Sequence, residues 1–232
     1  MPRFVVEFGK DSAPAQADGR LDAPAFQRNH EAMWLALSPI LANESGDILE
    51  LGSGTGQHAA EFARRTPQLT WWPSDIAAAH LASIAAWREH AGLTNLRPPQ
   101  RVDLMEPAWT WQGENGGGRS LAAMMCNNVL HISPSTVSKN LMSGAGRHLR
   151  AGGHLFIYGP FKRDGEHTAP SNAEFDASLR ARNPDWGVRD AGDLERLAQD
   201  AGMTLSDIVP MPANNFVLVF RRFDTPGTGK RS

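Results

Sequence analysis

The sequence predicts an α/β fold, with helices on both faces of a mostly parallel seven-stranded sheet that ends in an antiparallel hairpin. Short apolar strands alternate with helical segments along most of the chain, which is typical of parallel sheets. The first strand runs directly into a glycine-rich turn and a helix. The last two strands, 203–210 and 215–223, are joined by only four residues. A parallel connection needs a dozen or more residues, so this pair must be antiparallel.

The individual elements follow from hydrophobic spacing and from the residues that interrupt it. A helix is predicted to begin at Pro24, because apolar residues then recur every three or four positions. Gly46 and Pro67 break the first two helices, and Asp190 is expected to cap the last one. The predicted strands are 47–51, 69–75, 95–103, 121–126, 154–158, 203–210 and 215–223. The predicted helices are 24–41, 57–65, 77–91, 134–149, 172–182 and 191–201, with loops over 114–118 and 159–172.

Composition indicates an ordinary globular protein. The 232 residues are 41% hydrophobic with a net charge of -2, which gives no general attraction to nucleic acid or anionic membrane. No stretch is long and apolar enough to predict a signal peptide or a membrane span. Cys126 is the single cysteine and falls in an apolar strand, so we expect a reducing, cytoplasmic location and a core position. The eight histidines lack metal-ligand spacing, so no metal site is predicted.

We expect one domain over residues 24–223, between an N-terminal arm (1–23) and a flexible tail (224–232). The oligomeric state stays open.

The stretch Glu50-Leu-Gly-Ser-Gly-Thr-Gly56 is the most informative motif. Its glycines allow a tight turn and let a ligand lie against bare backbone at the start of a helix. Nicotinamide-binding loops have the pattern G-x-G-x-x-G, whose third glycine is replaced here by Gln57. Asp75 follows Gly56 by nineteen residues, at the end of the second predicted strand. A tight turn without any ligand is the alternative interpretation.

This loop resembles the S-adenosylmethionine loop of Rossmann-like class I methyltransferases, and the whole α/β pattern with its final hairpin resembles their fold. The resemblance implies that Asp75 accepts from the ribose hydroxyls, that Asp103 and Leu104 meet the adenine, and that Asn127 lies beside the methionine part. Asp103 could instead be a carboxylate in a loop or a helix cap, with no ligand. His58 could likewise only cap its helix. The residues implied to bind the cofactor are Arg28, Glu50, Gly52, Ser53, Gly54, Gly56, Gln57, His58, Asp75, Ile76, Asp103, Leu104 and Asn127.

Several longer segments resemble methyltransferase-like protein 26 and its bacterial relatives, a domain-of-unknown-function family. They are SGTGQHAAEFA, WWPSD, NNVLHISP, YGPF, SNAEFDASLRARNPDWGVRD and MPANNFVLVFRR, and the resemblance runs from about Arg28 to Arg222. The run over 171–190 is the specific part, because a generic methyltransferase does not require it. The resemblance implies the cofactor but no established acceptor.

The acceptor is expected to be a small molecule that enters above the carboxyl ends of the fourth and fifth strands. His131 is the candidate general base, because an imidazole titrates near neutral pH; alternatively it caps or packs the next helix. Arg182 can bind a substrate carboxylate or form a surface salt bridge. The residues expected to contact the acceptor are Asn29, Asn128, Tyr158, Phe161, Phe175, Arg182 and Trp186.

Three other functions are weighed against this one. A protein or RNA methyltransferase needs a broad open groove, and a non-catalytic S-adenosylmethionine-binding module would have its acceptor pocket filled by side chains. A nicotinamide oxidoreductase is disfavoured by the spacing at Gln57.

Overall fold

The computed structural model of the chain describes residues 16–113 and 120–224. Most of the predicted N-terminal arm, the predicted loop over 114–118 and nearly all of the predicted tail therefore lie outside the described residues. The helices are α1 (Pro24–Leu41), α2 (Gln57–Arg65), α3 (Ala78–Ala91), α4 (Ser135–His148), α5 (Pro170–Arg182) and α6 (Ala191–Asp200). The strands are β1 (Gly46–Leu51), β2 (Leu69–Asp75), β3 (Gln100–Arg101), β4 (Leu121–Asn127), β5 (Leu149–Gly159), β6 (Phe161–Arg163), β7 (Glu166–His167), β8 (Arg189–Asp190), β9 (Met203–Met211) and β10 (Asn215–Arg222).

The main sheet has seven strands in the order β3-β2-β1-β4-β5-β10-β9. The first five run parallel, and β10 pairs antiparallel with both β5 and β9. The predicted fold class, including the final hairpin, is confirmed. From β1 the chain adds β2 and β3 on one side, and it then adds β4 and β5 on the other side. At such a switch point, here between β1 and β4, a crevice opens beyond the carboxyl ends of the strands.

Two parts of the secondary structure differ from the prediction. Only Gln100–Arg101 of the expected third strand pairs with β2, and Leu96 adds an isolated bridge to Trp71. The expected polar loop over 159–172 contains β6 and β7, which join β8 in a small three-stranded sheet. The pairing of Phe161 with Arg189 is long-range, so a local hydrophobic pattern does not reveal it.

The core lies on both faces of the main sheet, because the side chains of a strand alternate between its two faces. β4 is buried along its whole apolar stretch: Met124 and Cys126 pack in the layer under α4 and α6, while Ala123 and Met125 pack under α1 and α2. Burial raises the pKa of the Cys126 thiol, and the predicted core position of this cysteine is confirmed.

The folded unit extends a few residues before the predicted start at Pro24. The Leu21 amide donates to Ser83 Oγ over 2.9 Å, and Trp87 Nε1 donates to the Leu21 carbonyl over 2.9 Å. The Arg20 guanidinium lies 4.6 Å from the centre of the Trp87 ring. These contacts hold residues 20–21 against α3. None of the helices in the described part of the chain combines the length and apolar character needed to cross a membrane.

Gly56 is expected to be intolerant of a side chain because α3 packs directly on it. Its φ is +93°, and an added Cβ would lie 2.9 Å from the Ile84 Cα atom. Gly56→Ala should therefore lower the free energy of unfolding by about 2–3 kcal/mol, the sum of backbone strain and overpacking. Gly92 is the matched control, since its φ is +61° with no atom within 4 Å of an added Cβ. Gly92→Ala should cost only about 1 kcal/mol in urea unfolding. Equal losses for the two variants would contradict the packing argument.

Candidate functional site

A cavity of about 450 Å³ lies beyond the carboxyl ends of β1, β2 and β4. One half is lined by the glycine loop and the strand ends, and the other by the segment after β4 and by α5. The cavity brings together most of the residues predicted to bind ligands. Those that line it are Glu50, Gly52, Ser53, Gly54, His58, Asp75, Ile76, Asp103, Leu104, Asn127, Asn128, His131, Phe175, Arg182 and Trp186.

The glycine loop is bare where it meets the segment after β4. Gly52 has a φ of +68°, and an added Cβ would lie 2.5 Å from Val129 Cγ2. Ser53 ties the loop to β2, because its amide donates to the Ser74 carbonyl over 2.8 Å and its hydroxyl accepts from the Ser74 amide over 3.1 Å. The backbone at this edge of the cavity is thus held in place before any ligand binds.

Asp75 joins the loop to the start of α3. Its Oδ2 accepts from the Gly54 amide over 2.9 Å, and its Oδ1 accepts from the Ala77 amide over 2.9 Å. His80 Nδ1 lies 3.0 Å from Oδ1, and both side chains are buried. Oδ2 accepts one hydrogen bond, from the Gly54 amide, and can accept a second, so Asp75 keeps acceptor capacity toward the cavity.

Glu50 and Asn127 lie at the carboxyl ends of the neighbouring strands β1 and β4, and their side chains are in contact. Asn127 Nδ2 donates to Glu50 Oε1 over 3.3 Å. Glu50 Oε2 and Asn127 Oδ1 are buried and have no hydrogen-bond partner among the described residues. The pKa of Glu50 is raised to about 7, because burial and the charge of Asp75 together outweigh the hydrogen bonds from Ser53 and Asn127. Two buried acceptors without partners call for a donor, and a cation satisfies both the hydrogen bonds and the charge.

Asp103 holds a turn and also lines the cavity. Its Oδ1 accepts from the Met105 amide over 2.9 Å, as a carboxylate that holds a turn does. It also lines the cavity, beside the apolar side chains of Ile76, Val102 and Leu104. This corner can hold a flat apolar ring with a polar group at its edge.

Three residues predicted to bind the cofactor do not line the cavity. Gly56 lies against α3, as described above. The Gln57 side chain is occupied by structural contacts, because its Oε1 accepts from the Ala23 amide over 2.7 Å and its Nε2 donates to Asp22 Oδ1 over 2.7 Å. Arg28 is exposed on α1. Gly56 and Gln57 therefore hold the glycine loop through contacts on the side away from the cavity.

His58 lines the cavity and reaches α1 at the same time. Its Nε2 lies 2.9 Å from Asn29 Oδ1, which can only accept, so Nε2 carries the proton. Burial, with a smaller contribution from His30, lowers the pKa of His58 to about 3. The imidazole is therefore neutral at neutral pH, and its ring contacts Phe26 edge to face at 5.0 Å.

The half of the cavity under α5 is mostly apolar. Phe175, Leu179 and Arg182 lie at i, i+4 and i+7 of α5, so they form one stripe on its surface that faces the cavity, and Trp186 continues the wall beyond the helix. The His131 ring meets Phe175 edge to face at 5.4 Å.

His131 is buried, and burial together with the charge of Arg189 lowers its pKa to about 4. The prediction that His131 titrates near neutral pH is thus wrong. The His131 carbonyl accepts a hydrogen bond from the Gly187 amide over 3.0 Å. This bond connects the segment that follows α5 to the segment that follows β4.

Three residues expected to contact the acceptor lie elsewhere. Tyr158 is buried in the layer under α1, because it points to the opposite face from Ile157, and its hydroxyl interacts with Asn29 and Asn215. Burial raises the pKa of Tyr158. Asn29 binds His58 behind the cavity wall. Phe161 packs in the core under α6. These three residues support the cavity but do not line it.

His80 was not predicted from the sequence. It lies five positions after Asp75, in the first turn of α3, so a search for polar residues in the turn after each strand end could have found it. Among residues 16–113 and 120–224, no group of three or more histidine, cysteine or acidic side chains could hold a metal ion.

Several solved structures that superpose on the chain are methyltransferases. An O-methyltransferase family protein from Burkholderia thailandensis superposes with a TM-score of 0.65 at 18% identity, covering 84% of this chain and 58% of that protein. Human N-acetylserotonin methyltransferase, solved in complex with S-adenosylmethionine, superposes with a TM-score of 0.66 at 14% identity, covering 86% and 53%. The chain thus spans less than two thirds of either protein.

A third similar structure is geranyl diphosphate C-methyltransferase from Streptomyces coelicolor, in complex with Mg²⁺, geranyl diphosphate and S-adenosylhomocysteine. Its TM-score is 0.63 at 11% identity, with 84% of this chain and 79% of that protein covered. The fold and the position of the cavity define the chain as a protein of the class I methyltransferase fold.

The chain belongs to the DUF938 family, described as a protein of unknown function, whose pattern matches residues 20–222.

Proposed function

We propose that the protein is an S-adenosylmethionine-dependent methyltransferase that acts on a small molecule. The observation that carries the proposal is the group of buried acceptors around the glycine loop. Glu50 and Asn127 each leave an oxygen without a partner among the described residues, and Asp75 keeps acceptor capacity on the neighbouring strand. The ligand complexes of the similar methyltransferases support the same cofactor here.

The residues present fit S-adenosylmethionine by their chemistry. Glu50 and Asn127 would accept from its ammonium group, and Asp75 would accept from its ribose hydroxyls. The apolar corner with Ile76, Leu104 and the Asp103 carboxylate would hold the adenine. Gly52 is needed at the loop because a side chain there would collide with Val129. A nicotinamide dinucleotide fits less well, since Gln57 fixes the chain behind the loop where that class has a glycine.

When bound, the cofactor would supply a methyl carbon activated by a positively charged sulfur, which is a good leaving group. The chain's own work is to orient the acceptor, exclude water and remove a proton. α5 and Trp186 cover the acceptor half of the cavity. His131 is neutral at pH 7, so one of its ring nitrogens carries no proton. We therefore assign to His131 the role of the general base that removes the acceptor's proton. His58 is the second candidate at the same wall.

The other functions are less well supported. A cavity of about 450 Å³ favours a small acceptor over an RNA or a folded protein. The cavity continues past Asn127 to Arg182, and this space favours catalysis over a cofactor-binding module.

The relation to methyltransferase-like protein 26 rests on the sequence segments alone, and the run over 171–190 that carries it contributes Phe175, Arg182 and Trp186 to the cavity lining. A cytoplasmic location and the lack of a nucleic-acid partner stay predictions from the sequence.

S-Adenosylhomocysteine is expected to bind the purified protein and raise its melting temperature. A ligand that binds only the native state at 100 times its Kd adds about 2.7 kcal/mol to the free energy of unfolding. Thermal unfolding with and without the ligand, with NAD as the control nucleotide, measures the effect. An unchanged melting temperature with S-adenosylhomocysteine, or a larger increase with NAD, would contradict the proposal.

A further inference from the structure

The two halves of the cavity carry opposite charge. The strand ends supply three acids, Glu50, Asp75 and Asp103. Under α5, Arg182 is the single lysine or arginine among the described residues that line the cavity. A cavity that is acidic at one end and has one arginine at the other selects ligands by charge along its length.

Arg182 has no ion pair or hydrogen bond to another described residue. Two other arginines in this part of the chain do bind protein groups. Arg180 Nε lies 3.3 Å from both carboxylate oxygens of Asp176, and Arg189 donates to the Ser133 carbonyl. The surface salt bridge considered as the alternative for Arg182 is therefore not formed within residues 16–113 and 120–224. Its five N–H donors remain available at the cavity wall.

The other residues of α5 that line the cavity are apolar. Phe175 and Leu179 lie on the same stripe of the helix as Arg182, and Val137 also lines the cavity. Trp186 Nε1 is a donor only, and it is buried without a hydrogen-bond partner among the described residues. A ligand here must offer acceptors at one end and an apolar body beside them.

We infer that the methyl acceptor is a small aromatic or similarly apolar carboxylate, held by its carboxylate at Arg182 and by its ring against Phe175. This inference rests on the proposed function. A carboxylate matches a guanidinium in shape and binds it through two parallel hydrogen bonds. A single arginine neutralises a monoanion, whereas a phosphate dianion would leave an uncompensated charge in a cavity that already contains three acids. The methylated atom lies at the end of the acceptor that points toward Asn127.

The test is isothermal titration calorimetry on protein saturated with S-adenosylhomocysteine. The probes are para-hydroxybenzoate, para-hydroxyphenylacetate and para-hydroxycinnamate, each paired with its neutral amide. At least one acid is expected to bind more tightly than its amide. Arg182→Gln should weaken that acid about tenfold, the scale of one charge-assisted hydrogen bond, and leave the amide unchanged. Arg180→Gln, on the same helix but directed to Asp176, should change neither.

Each other outcome has a definite meaning. If S-adenosylhomocysteine binds and none of the acids is preferred over its amide, the inferred acceptor class is wrong while the proposed function stands. If Arg182→Gln weakens S-adenosylhomocysteine itself, the arginine serves the cofactor and the inference is overturned. If S-adenosylhomocysteine does not bind the unaltered protein, the proposed function fails.

Discussion

Replacing Asp75 by alanine is expected to reduce S-adenosylhomocysteine binding by about tenfold to a hundredfold or more, since ribose hydroxyls would lose a buried acceptor. The structure adds a second cost. The Gly54 and Ala77 amides both donate to this carboxylate. Because alanine would leave both amides without an acceptor, the free energy of unfolding should fall by about 2–4 kcal/mol in total. One substitution should therefore weaken the ligand site and the loop that forms it.

Calorimetric titration and urea unfolding of the same preparations separate the two effects. Asp200→Ala is the control, because Asp200 is exposed at the end of α6, away from the cavity. Asp75→Asn provides a further comparison, since it keeps one acceptor for the loop but removes the charge. If a folded Asp75→Ala variant binds S-adenosylhomocysteine with the affinity of the unaltered protein, this carboxylate does not contact the ligand.

The cofactor half of the cavity could be predicted because it depends on local patterns. A parallel strand ends where its apolar run ends, and the carboxyl ends of neighbouring strands lie at one edge of the sheet. Reading the strand ends alone therefore places Glu50, Asp75, Asp103 and Asn127 near one another, and all four line the cavity. The glycine spacing adds the loop between them.

The sequence was less informative wherever a side chain's direction depends on distant packing. Gln57 immediately follows the loop, yet its amide is bound by Asp22 and Ala23, which precede α1. Tyr158 and Phe161 follow the right strand but face core layers, because the direction of each is set by the face of β5 or β6 it occupies. A search of the turn after β2 could find His80 as a candidate, but its contact with Asp75 depends on how α3 packs against β2.

Glu50→Gln is expected to stabilise the protein without ligand and to weaken ligand binding. The carboxyl is buried, and its pKa in the folded protein is about 7, above the ordinary value of 4.5. Between these pH values the folded state binds more protons than the unfolded chain. The contribution of Glu50 to stability is thus fully present below pH 4.5 and is lost as the pH rises through 7. At pH 8 the lost contribution is about 3 kcal/mol, and glutamine, which never ionises, should recover most of it.

The ligand reverses the sign of this effect. The ammonium of S-adenosylhomocysteine would supply the positive charge that the buried carboxylate lacks, so Glu50→Gln should bind it about tenfold or more weakly at pH 8. Urea unfolding at pH 5 and pH 8, together with titration calorimetry, measures both parts, and exposed Glu89→Gln on α3 is the matched control. A glutamate with a purely structural role would lose stability on substitution and leave ligand affinity unchanged. A gain in stability at pH 8 with a loss of affinity is expected only if the buried charge is kept for a cationic ligand.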